Sequence, residues 1–191
     1  LVDEQMPGMT GIAMVREARG QDVQAYLVKP VTPQQVLSIV TRILEGPRIR
    51  SQAIARQFVE RFRELEAVRL KDLDWRGWTE RYAELVQWDV DLTAAGEQGL
   101  NTSLRALFPA MHKDFAAFIG EGYPRWVHEL DGDRPPLSVD IVGEFLMPVL
   151  VEHPAALFIV VDCLRLDQWK VLEPIVAQAF EIDTAHYFSL L

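Results

Sequence analysis

Three apolar stripes at helical spacing, all within residues 51–120, constrain this chain most. The first runs Ile54, Phe58, Phe62 and Leu65, and then Val68 or Arg69. The second runs Trp75, Trp78, Tyr82, Leu85 and Leu92, with Trp88 alongside. The third runs Leu104, Leu107, Met111, Phe115 and Phe118. Apolar residues three and four apart lie on one face of a helix, and that face must be buried against another element. The spacing predicts helices over residues 51–68, 75–92 and 101–120. Asp74 is placed to cap the second helix, Gly96 and Gly99 loosen the join to the third, and Pro109 kinks or splits that third helix. Three amphipathic helices with short joins make a helical bundle.

Within that bundle, tryptophans at helical spacing are core residues rather than a stacking platform or ligand cage. The Arg-rich first helix is balanced by Glu, so its polar side is a solvated face. His112 has no partner at metal-ligand spacing and reads as a surface residue. Tyr123-Pro124-Arg125-Trp126 closes the bundle, and residues 131–136 form a polar, Pro-rich linker. Ser138 then caps a helix reaching about Val149.

Charge is unevenly spread along the 191 residues, whose net charge is -9. Residues 111–191 hold 13 Asp and Glu against 5 Lys and Arg, whereas residues 47–110 hold 10 of each. That acidity argues against a nucleic-acid face there and fits a site that gathers cations. No helix-turn-helix with a basic reading helix is visible, so a DNA-binding output is the remotest reading. A single cysteine, Cys163, excludes a disulfide framework and a thiolate zinc cluster and favours a reducing compartment. No apolar run reaches the ~20 residues of a spanning helix. LVDEQMPG resembles neither a signal peptide nor a natural start, so the chain is expected to open inside a longer protein.

The acidic part centres on AALFIVVDCLRLDQW, residues 155–169. Its apolar run predicts a buried parallel strand over residues 156–161, with Asp162 at the carboxyl end. Ligands of open α/β sheets bind at that edge, and an acid there calls for a cation. Asp167 is expected to cap a helix through Trp169, Leu172, Ile175 and Phe180, kinked at Pro174, and residues 185–191 form the next strand. Arg165 and Asp167 read as structural, one orienting the loop and one capping.

At the other end, Asp3 follows Leu1-Val2, and Met6-Pro7-Gly8-Met9-Thr10-Gly11 leads into a short helix. AYLV, residues 25–28, forms a strand ahead of Lys29-Pro30. Thr32 caps the next helix, with Pro33 first and Gln35 closing a capping box, and with Leu37, Val40, Ile43 and Leu44 as its apolar face. Gly46-Pro47 ends it. LVDEQMPGMTG and AYLVKPVTPQQVLSIVTRIL resemble the third and fifth strand–helix units of a response-regulator receiver domain. The resemblance implies that Asp3 accepts a phosphoryl group, that Lys29 contacts the phosphoryl oxygens, and that Mg²⁺ assists. It also implies a sensor histidine kinase as partner. The unit between these two and the receiver's first strand, with its acidic pair, are missing.

LFIVVDCLRLDQWKVLEPIV is similar to the first strand–helix unit of PglZ-type proteins of the alkaline phosphatase superfamily. Receiver, bundle and PglZ part in this order resemble the PorX-like response regulators. That likeness implies Asp162 as a ligand in a two-zinc phosphoryl-transfer site. The nucleophile it implies is a Thr just past Leu191; Thr184 precedes the strand and is not assigned. The fold expected is mostly α with α/β parts: an incomplete receiver domain over residues 1–46, a helical bundle over 47–130, and the N-terminal part of a PglZ/alkaline-phosphatase-like domain over 131–191. The parent is read as a cytoplasmic, dimeric response regulator with a zinc-dependent phosphatase or phosphodiesterase output, this chain being inactive by itself. The alternative is a non-catalytic signalling protein that dimerises and binds a partner.

Overall fold

The computed structural model describes residues 25, 27, 30–128, 133–153 and 155–187. Asp3, Lys29 and the expected turn after Asp3 lie outside the described residues, as does most of the strand expected over residues 25–28. The fold divides into two compact units, one ending at Ala53 and the other starting at Ile54. Among the described residues no strand forms.

In the first unit, helix α1 (Pro33–Ala67) starts as its sequence requires. The Thr32 N–H donates to Gln35 Oε1 at 2.9 Å and the Gln35 N–H to Thr32 Oγ1 at 3.3 Å, a reciprocal capping box. The expected stop at Gly46-Pro47 is not there: α1 continues through Pro47 to Ala67. Proline removes one ladder bond and costs about 3 kcal/mol, but it does not end a helix whose following turns bury an apolar face. Of the expected apolar positions, Ile43 is half-buried while Leu37, Val40 and Leu44 are exposed.

The second unit holds the main core. Phe58, Leu65, Trp78, Leu85, Leu92, Leu104 and Met111 are buried together, with Ile54, Phe62, Trp88, Phe115 and Phe118 packed against them. These are members of the three sequence stripes. Removing each large apolar side chain from water contributes roughly 1.5–3 kcal/mol, so the stripes account for the fold of this part. Helix α2 (Trp75–Ala95) begins with Asp74 accepting from the Gly77 N–H at 2.8 Å, as expected. It ends at Gly96, whose φ of 75° is left-handed. There the Glu97 N–H reaches Leu92 O at 3.0 Å and the Gly96 N–H reaches Thr93 O at 3.1 Å, closing a Schellman turn.

The third expected helix is two, α3 (Gln98–Arg105) and α4 (Phe108–His128). The split falls just before Pro109, which sits in the first turn of α4 where its missing N–H is harmless. Helix α4 then carries on through Pro124 instead of closing at Tyr123. Its aromatic residues meet edge-on across helices, as in Trp78–Phe115, 5.2 Å between centroids, and Phe118–Trp126, 5.4 Å.

Beyond the bundle three details differ from expectation. Ser138 lies in a turn at residues 138–140, and a π-helical turn, Val142–Leu146, precedes α5 (Met147–Glu152). Residues 155–161 have no ladder partner, and Leu157, Ile159 and Val160 are exposed. Helix α6 (Leu166–Val176) has Arg165, not Asp167, at the cap position and stops short of Phe180. Pro174 falls in its last turn, and α6 packs on α2. No described helix is long and apolar enough to cross a membrane.

Candidate functional site

Asp162 sits in an exposed turn with Cys163. Its Oδ1 accepts the Cys163 N–H at 2.9 Å, and Cys163 takes a left-handed conformation with φ 58°. Left-handed backbone is unusual for a residue with a Cβ, and the short Asp–Cys bond is what holds it. Its thiol is free and exposed. Among the described residues no group of three or more His, Cys, Asp or Glu side chains could hold a metal ion. A zinc centre takes three or four such ligands, so the described residues supply Asp162 as a single carboxylate and do not by themselves fit the ion. The magnesium expected beside Asp3 falls outside the described residues.

Three residues downstream, Arg165 grips Asp167 through Nε–Oδ1 at 2.9 Å and Nη2–Oδ2 at 2.6 Å. This fork holds the Asp167 carboxyl below its usual range and raises the Arg165 guanidinium. Both side chains are committed to each other, and Gln168 Oε1 accepts the Arg165 N–H at 3.0 Å, so the pair organises the entry of α6. Thr184 donates to Glu173 Oε1 at 3.2 Å, and Lys170 Nζ donates to the other oxygen of Glu173 at 3.1 Å. The lysine keeps Glu173 ionised below its ordinary range. These bonds fasten the segment after α6 back onto that helix.

Several polar groups that the stripes did not single out are the best-ordered electrostatics of the second unit. Arg81 is buried on α2, 8% exposed, and its guanidinium donates to the Leu65 carbonyl at the end of α1. Burial lowers its pKa, partly offset by Glu84 at 4.0 Å. Asn101 on α3 is buried and donates to Asp89 Oδ1 at 2.8 Å and to Thr93 Oγ1 at 3.1 Å. Arg105 closes on the same carboxylate, Nε–Oδ1 2.7 Å and Nη2–Oδ2 3.2 Å, and holds it ionised below the usual range. Arg134 and Asp140 form a comparable fork at 2.5 and 3.1 Å, with the Leu137 N–H also on Asp140 at 2.7 Å.

A groove of about 600 Å³ opens between α2, α4, α6 and residues 184–187. Trp78, Tyr82, Phe115, Trp169 and Tyr187 give it an aromatic lining, and no Lys, Arg, Asp or Glu lines it. His112, placed on the surface by sequence, is exposed, lines the groove and meets the Phe108 ring edge-on at 5.8 Å. The groove could not be foreseen from spacing, because its walls come from helices distant in sequence.

No curated protein matches the chain. Residues 48–127 match the family PorX_mid, described as the PorX response regulator linker domain; these residues span the latter part of α1 and nearly all of the helices that follow through α4, and the match gives the chain a response-regulator context.

Proposed function

We propose that this chain is the signalling and linker portion of a response regulator whose output is a PglZ-type, metal-dependent phosphatase or phosphodiesterase. The observation that carries this reading is the linker-domain match over residues 48–127, flanked by a receiver-like stretch on one side and a phosphatase-like stretch on the other. Asp3 is the phosphoacceptor in this reading. Its carboxylate oxygen attacks the phosphorus of a kinase phosphohistidine, the phosphorus–nitrogen bond breaks, and the histidine nitrogen leaves. Lys29 offsets the charge on the transferred phosphoryl group. Magnesium in the receiver and zinc in the output domain would supply charge neutralisation and Lewis acidity. Asp162 contributes one carboxylate to the zinc site, its remaining ligands coming from outside the described residues. Asp162 suits that part because it is exposed and only one of its oxygens accepts an N–H in the turn. The reading also includes a cytoplasmic setting, a sensor histidine kinase and a homodimer.

The experiment is phosphotransfer from a purified histidine kinase or acetyl phosphate with Mg²⁺, read by intact mass. One phosphoryl group should add to the wild type and none to Asp3→Asn. Equal labelling of both proteins would remove Asp3 from its role. Zinc content of the full-length protein, with and without Asp162→Ala, tests the second assignment separately; unchanged content rejects it.

A further inference from the structure

The aromatic groove of the second unit carries chemistry that the phosphoryl-transfer reading does not use. Its volume, about 600 Å³, lies in the range of small-molecule sites. Trp78 and His186 both line it, and each holds a ring nitrogen, Nε1 and Nε2, that is shut off from solvent and has no hydrogen-bond partner. Trp78 is 3% exposed, so its N–H has lost water and gained nothing in return. A buried unpaired donor costs about 1–3 kcal/mol, and buried polar groups in proteins are nearly always satisfied. An acceptor brought by a ligand would remove that cost.

The lining also decides the charge of the occupant. With no cationic or carboxylate side chain in the wall, a phosphate or carboxylate would be desolvated without a counter-ion. A flat aromatic body matches the indole, phenyl and phenol faces of Trp78, Phe115, Trp169 and Tyr187.

We infer that this groove is a binding site for an uncharged, planar aromatic molecule carrying a hydrogen-bond acceptor, which takes the Trp78 indole N–H. The site joins the linker helices α2 and α4 to α6 and the segment after it. Occupancy therefore fastens the start of the phosphatase-like stretch to the linker. Thr184 and Tyr187 already begin that attachment, through Glu173 and through a ring stack on Phe145 at 4.8 Å.

Coumarin, neutral and planar with a lactone carbonyl, is the probe, and its 3-carboxylate is the charged comparator. Calorimetry and saturation-transfer NMR on the whole chain should give one saturable site for coumarin, at about 0.1 mM, and none for the carboxylate. Trp78→Phe keeps the ring and deletes the donor, and should weaken binding about tenfold. Trp169→Ala removes a half-buried part of the wall contributed by α6 and tests the site independently should the Trp78 variant not fold. Absence of saturable coumarin binding would overturn the assignment. So would equal affinity for the carboxylate, or unchanged affinity in whichever variants fold.

Discussion

The side-chain amide of Asn101 donates to Asp89 Oδ1 at 2.8 Å from a buried position, and this bond joins α3 to α2. Arg105, one helical turn further along α3, takes the same carboxylate. The short helix α3 has only eight residues, too few to be stable alone, so its place depends on such bonds and on Leu104. Asn101→Leu removes the donor but leaves Asp89 with Arg105. We expect a loss of about 1–3 kcal/mol in urea unfolding, measured as a lower midpoint at unchanged slope.

The same carboxylate gives a pH dependence whose sign is fixed. Arg105 lowers the Asp89 pKa first and foremost, and Asn101 adds to it against the opposing effect of burial. A depressed carboxyl stabilises the fold above its unfolded pKa, near 3.9, and the stabilisation fades as pH falls through the lower folded value. Asp89→Asn should therefore lose stability at neutral pH and show a shallower decline than wild type below about pH 4. Thermal melts between neutral pH and pH 2.5 compare the two slopes.

Leu92 and Leu104 are fully buried, 0% exposed, whereas Leu157 is 86% exposed. Truncation of a core leucine removes transfer free energy and leaves a cavity. Leu92→Ala and Leu104→Ala should each cost about 2–5 kcal/mol, and Leu157→Ala less than about 0.5. A large effect of Leu157→Ala would mean that residues 155–161 are covered in solution.

The helical stripes were legible because burial of one face imposes a period on the sequence, and Phe58, Leu85 and Met111 lie where that period puts them. Arg81 was legible in position but not in kind: it falls three residues after Trp78 and four before Leu85, on the buried stripe, yet its charge disguised it. What a spacing cannot show is a partner distant in the chain, such as the Leu65 carbonyl that receives it. The apolar run before Asp162 predicts a strand, but a strand needs a ladder, and none forms among the described residues. Proline was over-read at Pro47, since a break signal yields to the helical turns that follow it. Asp162 was visible as an acid at the end of an apolar run, whereas the groove around Trp78 arises only when α2, α4 and α6 meet.

Glycines separate three outcomes by geometry. At Gly46, inside α1, an added Cβ meets nothing within 4 Å, so Gly46→Ala should stabilise by about 0.5–1 kcal/mol through helix propensity. Gly96 is left-handed, and Gly96→Ala should cost about 1 kcal/mol. At buried Gly122 a Cβ would stand 2.5 Å from Cζ2 of the Trp126 indole, so Gly122→Ala must displace that ring and should cost about 1–3 kcal/mol. Parallel urea titrations of the three variants check the order.

Arg81 sets one requirement on α2 that a hydrophobic count misses. Its guanidinium is buried, donates to Leu65 O, and has Glu84 as its nearest counter-charge, while its Nε has no partner. Charge burial so incompletely paid for is often replaceable by an apolar side chain of similar length. Arg81→Ala, in contrast, loses the stem packing and leaves both the Leu65 carbonyl and a cavity behind. The expected result is a loss of several kcal/mol for Arg81→Ala and a clearly smaller one, under about 1.5 kcal/mol, for Arg81→Met. If Met is as damaging as Ala in denaturant unfolding, the bond to the Leu65 carbonyl, rather than packing of the stem, is what α2 requires of this residue.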